Sequence, residues 1–211
     1  MPEFMPLFPL SLVVFPGESF RLHIFEERYK QLIGECVQEG KTFGVPTVID
    51  QGVGTIATEV RVVSVDREYN GGEMDVSTEG IQRFEILQFY HEAPGKLYAG
   101  ADVTWLTDDF NVDPDLQQQV FDLLEELNSM LGIHRELAGG AGGIRAYDLG
   151  HQIGFTLKQE YELLALRTET DRLTFIRQYI QEMLPVVRQT QQMKARAKLN
   201  GHYKNIVPPN F

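Results

Sequence analysis

The chain has 211 residues, 43% of them hydrophobic, which is enough to bury the core of one large domain or two small ones. Its formal net charge of -11 argues against nucleic acid as a partner, because phosphate binding needs a basic surface. The short apolar runs, the absence of a basic leader and the single cysteine exclude a membrane segment and an internal disulfide, and they predict a cytoplasmic protein.

Residues 4–110 are predicted to be mostly β-structure. The predicted strands are 7–14, 43–49, 55–65, 73–79, 83–90 and 97–105. Asn70 and Gly71 lie between two alternating segments and predict a type I′ hairpin turn. The valines within 60–65 change phase, which predicts a β-bulge. We expect a small, partly closed barrel, because closure avoids exposed sheet edges.

One helix is predicted to interrupt the strands, in FEERYKQLIGECVQEG. Apolar residues recur along it at helical spacing and form a single stripe: Phe25, Tyr29, Leu32, Ile33, Cys36 and Val37. Gly40 suits the position just after its C-terminus. Because Cys36 lies on the stripe, we interpret it as a core residue and not as a nucleophile.

The pattern becomes helical after residue 112. Asp113 and Pro114 predict a helix start, and Gly132 predicts its end. The expected buried face comprises Leu116, Val120, Leu123, Leu124, Leu127 and Leu131. The glycine-rich LAGGAGG that follows, residues 137–143, is predicted to be a flexible connector.

Three further helices are predicted after the connector. The first is short and lies near 144–152. The second begins at a capping box of Thr156 and Gln159 and runs to about Leu166. The third runs from Asp171 toward Leu199 with a bend at Pro185.

The change of pattern predicts three regions. A β-barrel subdomain covers 1–110, an α-helical subdomain covers 111–199, and an extended tail covers 200–211. The tail and the end of the last helix are basic, which suits the C-terminus of a helix.

No catalytic, cofactor-binding or metal-binding residue is predicted. GVGTIA at 52–57 fits a dinucleotide pattern, but a strand follows it where a phosphate site needs a helix. GECVQEGKT at 34–42 ends like a P-loop, but its first glycine is misplaced and lies inside the predicted helix. The five histidines show no metal-ligand spacing.

Several segments together resemble the Lon N-terminal domain family. MPLFPLSLVVFPGESFRLHIFEERYKQL is similar to its proline-punctuated first strand, its second short strand and its Phe-Glu-x-Arg-Tyr helix entry. GVGTIATEV and STEGIQRFEIL resemble its Gly-x-Ala and Gly-x-x-Arg-Phe strands. TLKQEYELLALRTETDRLTFIRQYIQEML resembles its terminal helices, so the resemblance extends from about Met5 to Leu184.

The resemblance implies an α+β fold, in which a PUA-like, partly closed β-barrel with one inserted helix precedes a C-terminal α-helical bundle. In Lon proteases this region helps to recognise unfolded or tagged substrates. The sequence contains no ATPase or Ser-Lys peptidase segment, so the resemblance implies a stand-alone, non-proteolytic module. Its expected partners are unfolded or apolar protein segments, together with an ATP-dependent protease or chaperone.

A surface that binds unfolded chain needs exposed apolar groups with a polar rim. Aromatic residues at predicted strand ends and turns are the apolar candidates: Phe15, Phe20, Tyr69, Phe89 and Tyr90. Glu26, Glu27 and Arg28 are the charged candidates. The alternative is a small-ligand or enzymatic pocket between barrel and helices, built around Arg83 or a histidine.

Overall fold

The computed structural model describes residues 2–133 and 145–202. The strands are β1 (Glu3–Leu7), β2 (Ser19–Ile24), β3 (Phe43–Ile49), β4 (Gly52–Glu68), β5 (Met74–Tyr90) and β6 (Ala99–Trp105). The helices are α1 (Glu27–Glu39), α2 (Pro114–Leu131), α3 (Ala146–Leu149), α4 (Leu157–Ala165) and α5 (Glu169–His202). The predicted α+β class with one helix inserted among the strands is confirmed.

The six strands form one mixed sheet in the order β2-β5-β4-β3-β1-β6. The long strand β5 also pairs with β6, so the sheet curls round and is partly closed. The pairing of β1 with β3 is parallel and joins Leu7 to Gly44, whereas the other named pairings are antiparallel. The partly closed architecture expected from the sequence is therefore present, without the regularity of a simple barrel.

The first predicted strand is misplaced. It was expected at 7–14, but β1 ends at Leu7, and only the Leu10–Thr47 bridge belongs to the sheet beyond it. The following segment still enters the interior, where Val14 is buried and its carbonyl accepts the Thr58 hydroxyl at 2.5 Å. A run of apolar residues therefore marked a buried loop, because backbone groups inside a protein can be satisfied by side chains as well as by a neighbouring strand.

The predicted hairpin is present between β4 and β5, but its turn is not type I′. Type I′ needs a positive φ at both central residues, and the only residue of this turn with a positive φ is Gly72, at 76°. The Gly72 amide donates to the Tyr69 carbonyl at 2.9 Å, and the Tyr69 amide donates to the Glu73 carbonyl at 2.8 Å. This is the pattern of a three-residue loop that ends in a left-handed glycine.

The predicted bulge among the valines is confirmed. The β4–β5 register shifts between Val62 and Ser64 and again between Val65 and Arg67. In each case β4 holds the extra residue, Val63 and Asp66 respectively. The change of phase in the sequence therefore marked a real insertion into the ladder.

The core of the sheet forms two clusters. The larger one lies under α1, which buries Tyr29, Leu32, Ile33 and Cys36 of the predicted stripe. Phe25 and Val37 at the edges of that stripe are exposed. A smaller cluster centres on Phe84 and joins β1, β5 and β6.

The helix ends follow their local sequence signals. Asp113 caps α2 by accepting the Asp115 amide, and Gly132 ends α2 with a φ of 68°. Thr156 and Gln159 form the predicted capping box of α4. The α5 helix begins at Glu169 and continues through Pro185.

The chain divides into two compact units, residues 1–110 with 145–169, and residues 111–144 with 170–211. The regions predicted from the sequence had placed α3 and α4 in the α-helical subdomain. In the structure both helices belong to the unit that contains the sheet, and α4 packs on β3 and β4. In the second unit α2 buries Leu116, Val120, Leu124 and Leu127, whereas Leu131 is exposed. The LAGGAGG connector and most of the predicted tail lie outside the described residues.

Candidate functional site

Arg83, a candidate ligand contact in the alternative interpretation, is buried in the sheet unit. Its Nη2 donates to Asp108 Oδ1 at 2.6 Å and its Nε donates to Asp108 Oδ2 at 3.3 Å. Its Nη1 donates to the Leu166 carbonyl at 2.9 Å and also to the carbonyl of Leu164. All three guanidinium nitrogens are engaged, so Arg83 joins β5 to the end of α4 and is a structural residue.

His151 makes a second internal connection. Its Nδ1 lies 2.8 Å from Glu160 Oε1 and its Nε2 lies 3.2 Å from Glu18 Oε2. The hydrogen bond with Glu18 is the main cause that raises the pKa of His151 to about 9, against the opposing effect of burial. The imidazolium form can donate to both carboxylates, so His151 connects the α3–α4 segment to the chain before β2.

The aromatic candidate Phe15 is only 1% exposed, so the expectation that it lies on the surface is wrong. Its ring stacks on Tyr147, with ring centroids 5.3 Å apart, and also covers Gly150, where a Cβ atom would collide with it. These partners lie in α3 and just after it, far away in sequence. Phe15 is therefore a core residue that closes the sheet unit.

The aromatic candidates of β2 and the end of β5 are partly covered. Phe20 packs against the larger core cluster and Phe89 against the smaller one. Tyr90 is more exposed, and its hydroxyl donates to Asp102 Oδ2 at 2.8 Å. Phe89 and Tyr90 lie at the opposite end of β5 from the β4–β5 hairpin, so the candidates do not form one surface.

Tyr69 belongs to a group that we call the hairpin-end cluster, which consists of His23, Phe25, Arg67, Tyr69 and Asp75. Asp75 lies 2.6 Å from His23 Nδ1 and accepts the Tyr69 hydroxyl at 2.8 Å. The His23 ring faces Phe25 and the edge of Tyr69, and the Arg67 guanidinium lies 4.7 Å from the Tyr69 ring centroid. Phe25 is 58% exposed, so the cluster presents an aromatic surface.

The charged candidates lie beside this cluster and pair with their neighbours. Arg28 donates to Glu26 at 2.8 Å, and Lys30 donates to Glu27 at 2.8 Å. Lys30 also donates to the Gly71 carbonyl at 2.9 Å, which joins the start of α1 to the hairpin. The structure therefore brings Glu26, Glu27 and Arg28 to the same end of the sheet as Tyr69.

A separate concave surface, which we call the α1 groove, has a cavity volume of about 210 Å³. Its apolar lining consists of Phe4, Pro6, Leu32, Cys36 and Tyr98, and its charged rim consists of Glu35, Lys41 and Lys96. The Phe4 side chain is 45% exposed, although β1 is paired along its length. The volume is below the roughly 300–1,000 Å³ of sites for drug-sized ligands, so the groove suits a side chain better than a cofactor.

Glu35 holds one wall of the α1 groove in place. Its Oε1 accepts Lys96 Nζ at 2.8 Å and Gln31 Nε2 at 3.0 Å, and its Oε2 accepts the Tyr98 hydroxyl at 2.6 Å. The hydrogen bond from Lys96, followed by that from Tyr98, lowers the pKa of Glu35. The Leu97 amide also donates to Gln31, so the loop before β6 is tied to α1 at several points.

Cys36 lines the groove but is not prepared for nucleophilic chemistry. Burial raises the pKa of its thiol to about 12, so the sulfur stays protonated at neutral pH. It therefore contributes apolar surface, as its place on the helical stripe predicted. Within the described residues no three His, Cys, Asp or Glu side chains converge to hold a metal ion, and no described helix could span a membrane.

The family model of the ATP-dependent protease La (Lon) substrate-binding domain matches residues 5–182. The chain belongs to this family. The match includes the sheet except for the first two residues of β1, together with most of the helices, which agrees with the Lon resemblance read from the individual motifs.

Two solved structures of Lon N-terminal domains have the same fold. The first is a Lon N-terminal domain protein from Xanthomonas campestris, with 24% identity and a TM-score of 0.63, and the alignment covers 82% of this chain and 95% of that one. The second is the N-terminal domain of Mycobacterium avium complex Lon protease, with 15% identity and a TM-score of 0.63, covering 86% and 100% respectively. At these identities the likeness establishes the fold alone.

No sequence pattern identified the α1 groove. Phe4 and Pro6 lay before the first predicted strand, and Tyr98 lay inside another. Only the helix residues Leu32 and Cys36 were grouped, as core. The available signal was the Phe4-Met5-Pro6-Leu7 segment, which the strand predicted at 7–14 meets only at Leu7.

Proposed function

We propose that this chain is a non-catalytic binding module for protein substrates, which recognises exposed apolar segments of unfolded chains. The observation that carries the proposal is the α1 groove, where Phe4 is 45% exposed over an otherwise buried apolar lining and Glu35, Lys41 and Lys96 form a charged rim. Exposed apolar surface with a polar rim is typical of protein-binding sites. Membership of the Lon substrate-binding domain family supports the same role.

The chemistry of the sheet unit supports binding without turnover. Arg83 is fully engaged by internal acceptors, His151 lies between two carboxylates, and Cys36 stays protonated. None of these groups lies in a site with a free nucleophile and a neighbouring base, as covalent catalysis requires. An ATP-dependent protease or chaperone that acts on the bound segment is the corresponding partner.

The first test is binding of the purified protein to a fluorescent, permanently unfolded polypeptide, compared with its folded counterpart, at low and moderate salt. We expect preferential binding of the unfolded chain with little dependence on salt, because apolar contacts are not screened as ion pairs are. Absence of binding to either form would contradict the proposed function.

Substitutions should then locate the surface. Phe4→Asp places a charge in the α1 groove and should weaken binding about tenfold, the effect of losing one interface anchor. Val63→Asp is the matched control, because Val63 is 60% exposed in β4 and does not line the groove. Phe25→Asp tests the hairpin-end cluster, and a loss confined to that variant would move the site there.

A further inference from the structure

Near the β4–β5 hairpin, two stretches of strand edge have no partner strand among the described residues. One is the outer edge of β2, which pairs only with β5. The other is the second half of β4, since its pairing with β3 ends at Val60 whereas its pairing with β5 continues to Glu68. With the first half of β5, these segments form a three-stranded antiparallel arm.

The two edges differ in regularity. The β4 edge contains the bulged residues Val63 and Asp66, which disrupt the repeat that another strand would need. The β2 edge has an unbroken register with β5, from Ser19 opposite Glu79 to Ile24 opposite Met74. Bulges are one way in which proteins protect an edge from pairing, so only the β4 edge is protected by them.

The direction of the β2 backbone groups follows from its bonds to β5. The carbonyl of Glu18 accepts the Gly80 amide at 2.9 Å, and the carbonyl of Phe20 accepts the Thr78 hydroxyl at 2.8 Å, so these carbonyls face β5. Backbone groups alternate in direction along an antiparallel strand. The amides and carbonyls of Ser19, Arg21 and His23 therefore point away from the sheet.

We infer that the β2 edge binds an extended segment of a client chain as an added β-strand, with an acidic client residue beside Arg21. This mode of recognition rests on the proposed function and adds a second client-binding surface, separate from the α1 groove. Main-chain hydrogen bonds hold any extended sequence, and alternate side chains supply the selectivity. Phe20 and Leu22 lie on the face of β2 that packs against the larger core cluster and are partly exposed, so apolar client residues on that face would cover them.

Charge selects the occupant. The Arg21 side chain is 84% exposed, and its closest ion-pair atom, Asp66 Oδ2, is 3.7 Å away. Asp66 already accepts the Ser64 and Ser77 hydroxyls at 2.6 Å each. An acidic residue on an added strand could approach Arg21 from the open side, where opposite charges on neighbouring strands are favourable.

A second copy of this chain fits the edge less well. A two-fold antiparallel pairing of β2 strands centred on Arg21 would place the Arg21 side chains of both copies opposite each other. Like charges directly across two strands are destabilising. An acidic client segment avoids this repulsion.

The test uses a short fluorescent peptide of alternating valine and threonine with a central glutamate. Two derivatives carry N-methyl groups on alternate residues. One derivative is methylated at the odd-numbered residues and the other at the even-numbered residues. Because a strand directs alternate amides to opposite edges, one derivative loses its donors to β2 and the other does not. We expect about a tenfold loss of affinity for one derivative and less than about a twofold change for the other.

Two variants examine the protein side. Arg21→Pro removes an outward amide, which an edge strand tolerates, so it should weaken binding of the parent peptide without loss of fold by circular dichroism. Arg21→Glu should weaken binding of the glutamate peptide and improve binding of the matched lysine peptide. Because both peptides are compared on the same protein, a change in the stability of the variant would not produce this exchange of preference.

The outcomes separate this inference from the proposed function. If the unfolded polypeptide binds through Phe4 but both N-methylated derivatives bind like the parent peptide, the groove function stands and the edge inference is overturned. If neither polypeptide nor peptide binds, both fail. A concentration-dependent dimer that Arg21→Pro dissociates, without peptide binding, would assign the edge to a second copy and overturn the inference.

Discussion

The Arg83 site and the α1 groove lie in the same compact unit and have opposite arrangements of polarity. Arg83 carries a charge into the interior, where Asp108 and two carbonyls satisfy it. The groove leaves Phe4 45% exposed beside the charged Glu35, Lys41 and Lys96. A buried charge with internal partners indicates a structural role, whereas apolar surface left open indicates a role in binding.

The strongest test of this comparison is removal of the buried charge. Arg83→Met should lower the free energy of unfolding by about 3–5 kcal/mol, because it breaks the buried ion pair with Asp108 and removes the donor to two carbonyl groups. Arg61→Met is the control, since Arg61 forms an exposed pair with Glu79 and should change stability by less than about 1 kcal/mol. Urea unfolding measures both. Equal effects would contradict the structural role of Arg83.

A smaller effect is expected where backbones approach closely. A Cβ atom at Gly80 would collide with the Phe15 carbonyl, so Gly80→Ala should reduce stability by about 1–3 kcal/mol. At Gly34 in α1 a Cβ atom would meet no described atom within 4 Å, so Gly34→Ala should stabilise by about 0.5–1 kcal/mol. Thermal unfolding of the two variants should give shifts of opposite sign, and shifts of the same sign would contradict this packing.

These examples also show which features the sequence could predict. The ends of α2 and α4 depend on adjacent residues such as Asp113 and Thr156, so local patterns identified them. The apolar stripe of α1 was equally local. Features that depend on neighbours within one turn of helix are visible in a single sequence.

The α1 groove and the burial of Phe15 depend on contacts between distant segments. Phe15 is covered by Tyr147 and Gly150, which no nearby pattern connects to it. Strand β1 was misplaced, because the strand predicted at 7–14 overlaps it only at Leu7. Its pairing with β6 is continuous whereas its pairing with β3 involves only Leu7, so Pro6 occupies a position with one strand edge unpaired, where proline is tolerated.

The His151 connection predicts a pH dependence. Its pKa is raised from the ordinary 6.5 to about 9, so its contribution to stability is complete below pH 6.5 and is lost as the pH rises through 9. We expect a loss of at most about 1 kcal/mol, because the side chain is 39% exposed and solvent screens the pairs. Urea unfolding of the wild type and His151→Gln across this range measures the effect, which should be absent in the variant. An equal loss in both proteins would assign the pH dependence to another group.

The smallest change in stability is expected at the groove. Phe4 is nearly half exposed, so Phe4→Asp should alter the free energy of unfolding by less than about 0.5 kcal/mol, although it weakens client binding. Part of the ring covers Gly100, so the measurement also tests whether Phe4 supports the fold. Urea unfolding and client binding should be measured on the same preparation. Strong destabilisation by Phe4→Asp would show that Phe4, like Arg83, has a structural role. Loss of client binding with unchanged stability would show that Phe4 acts in binding.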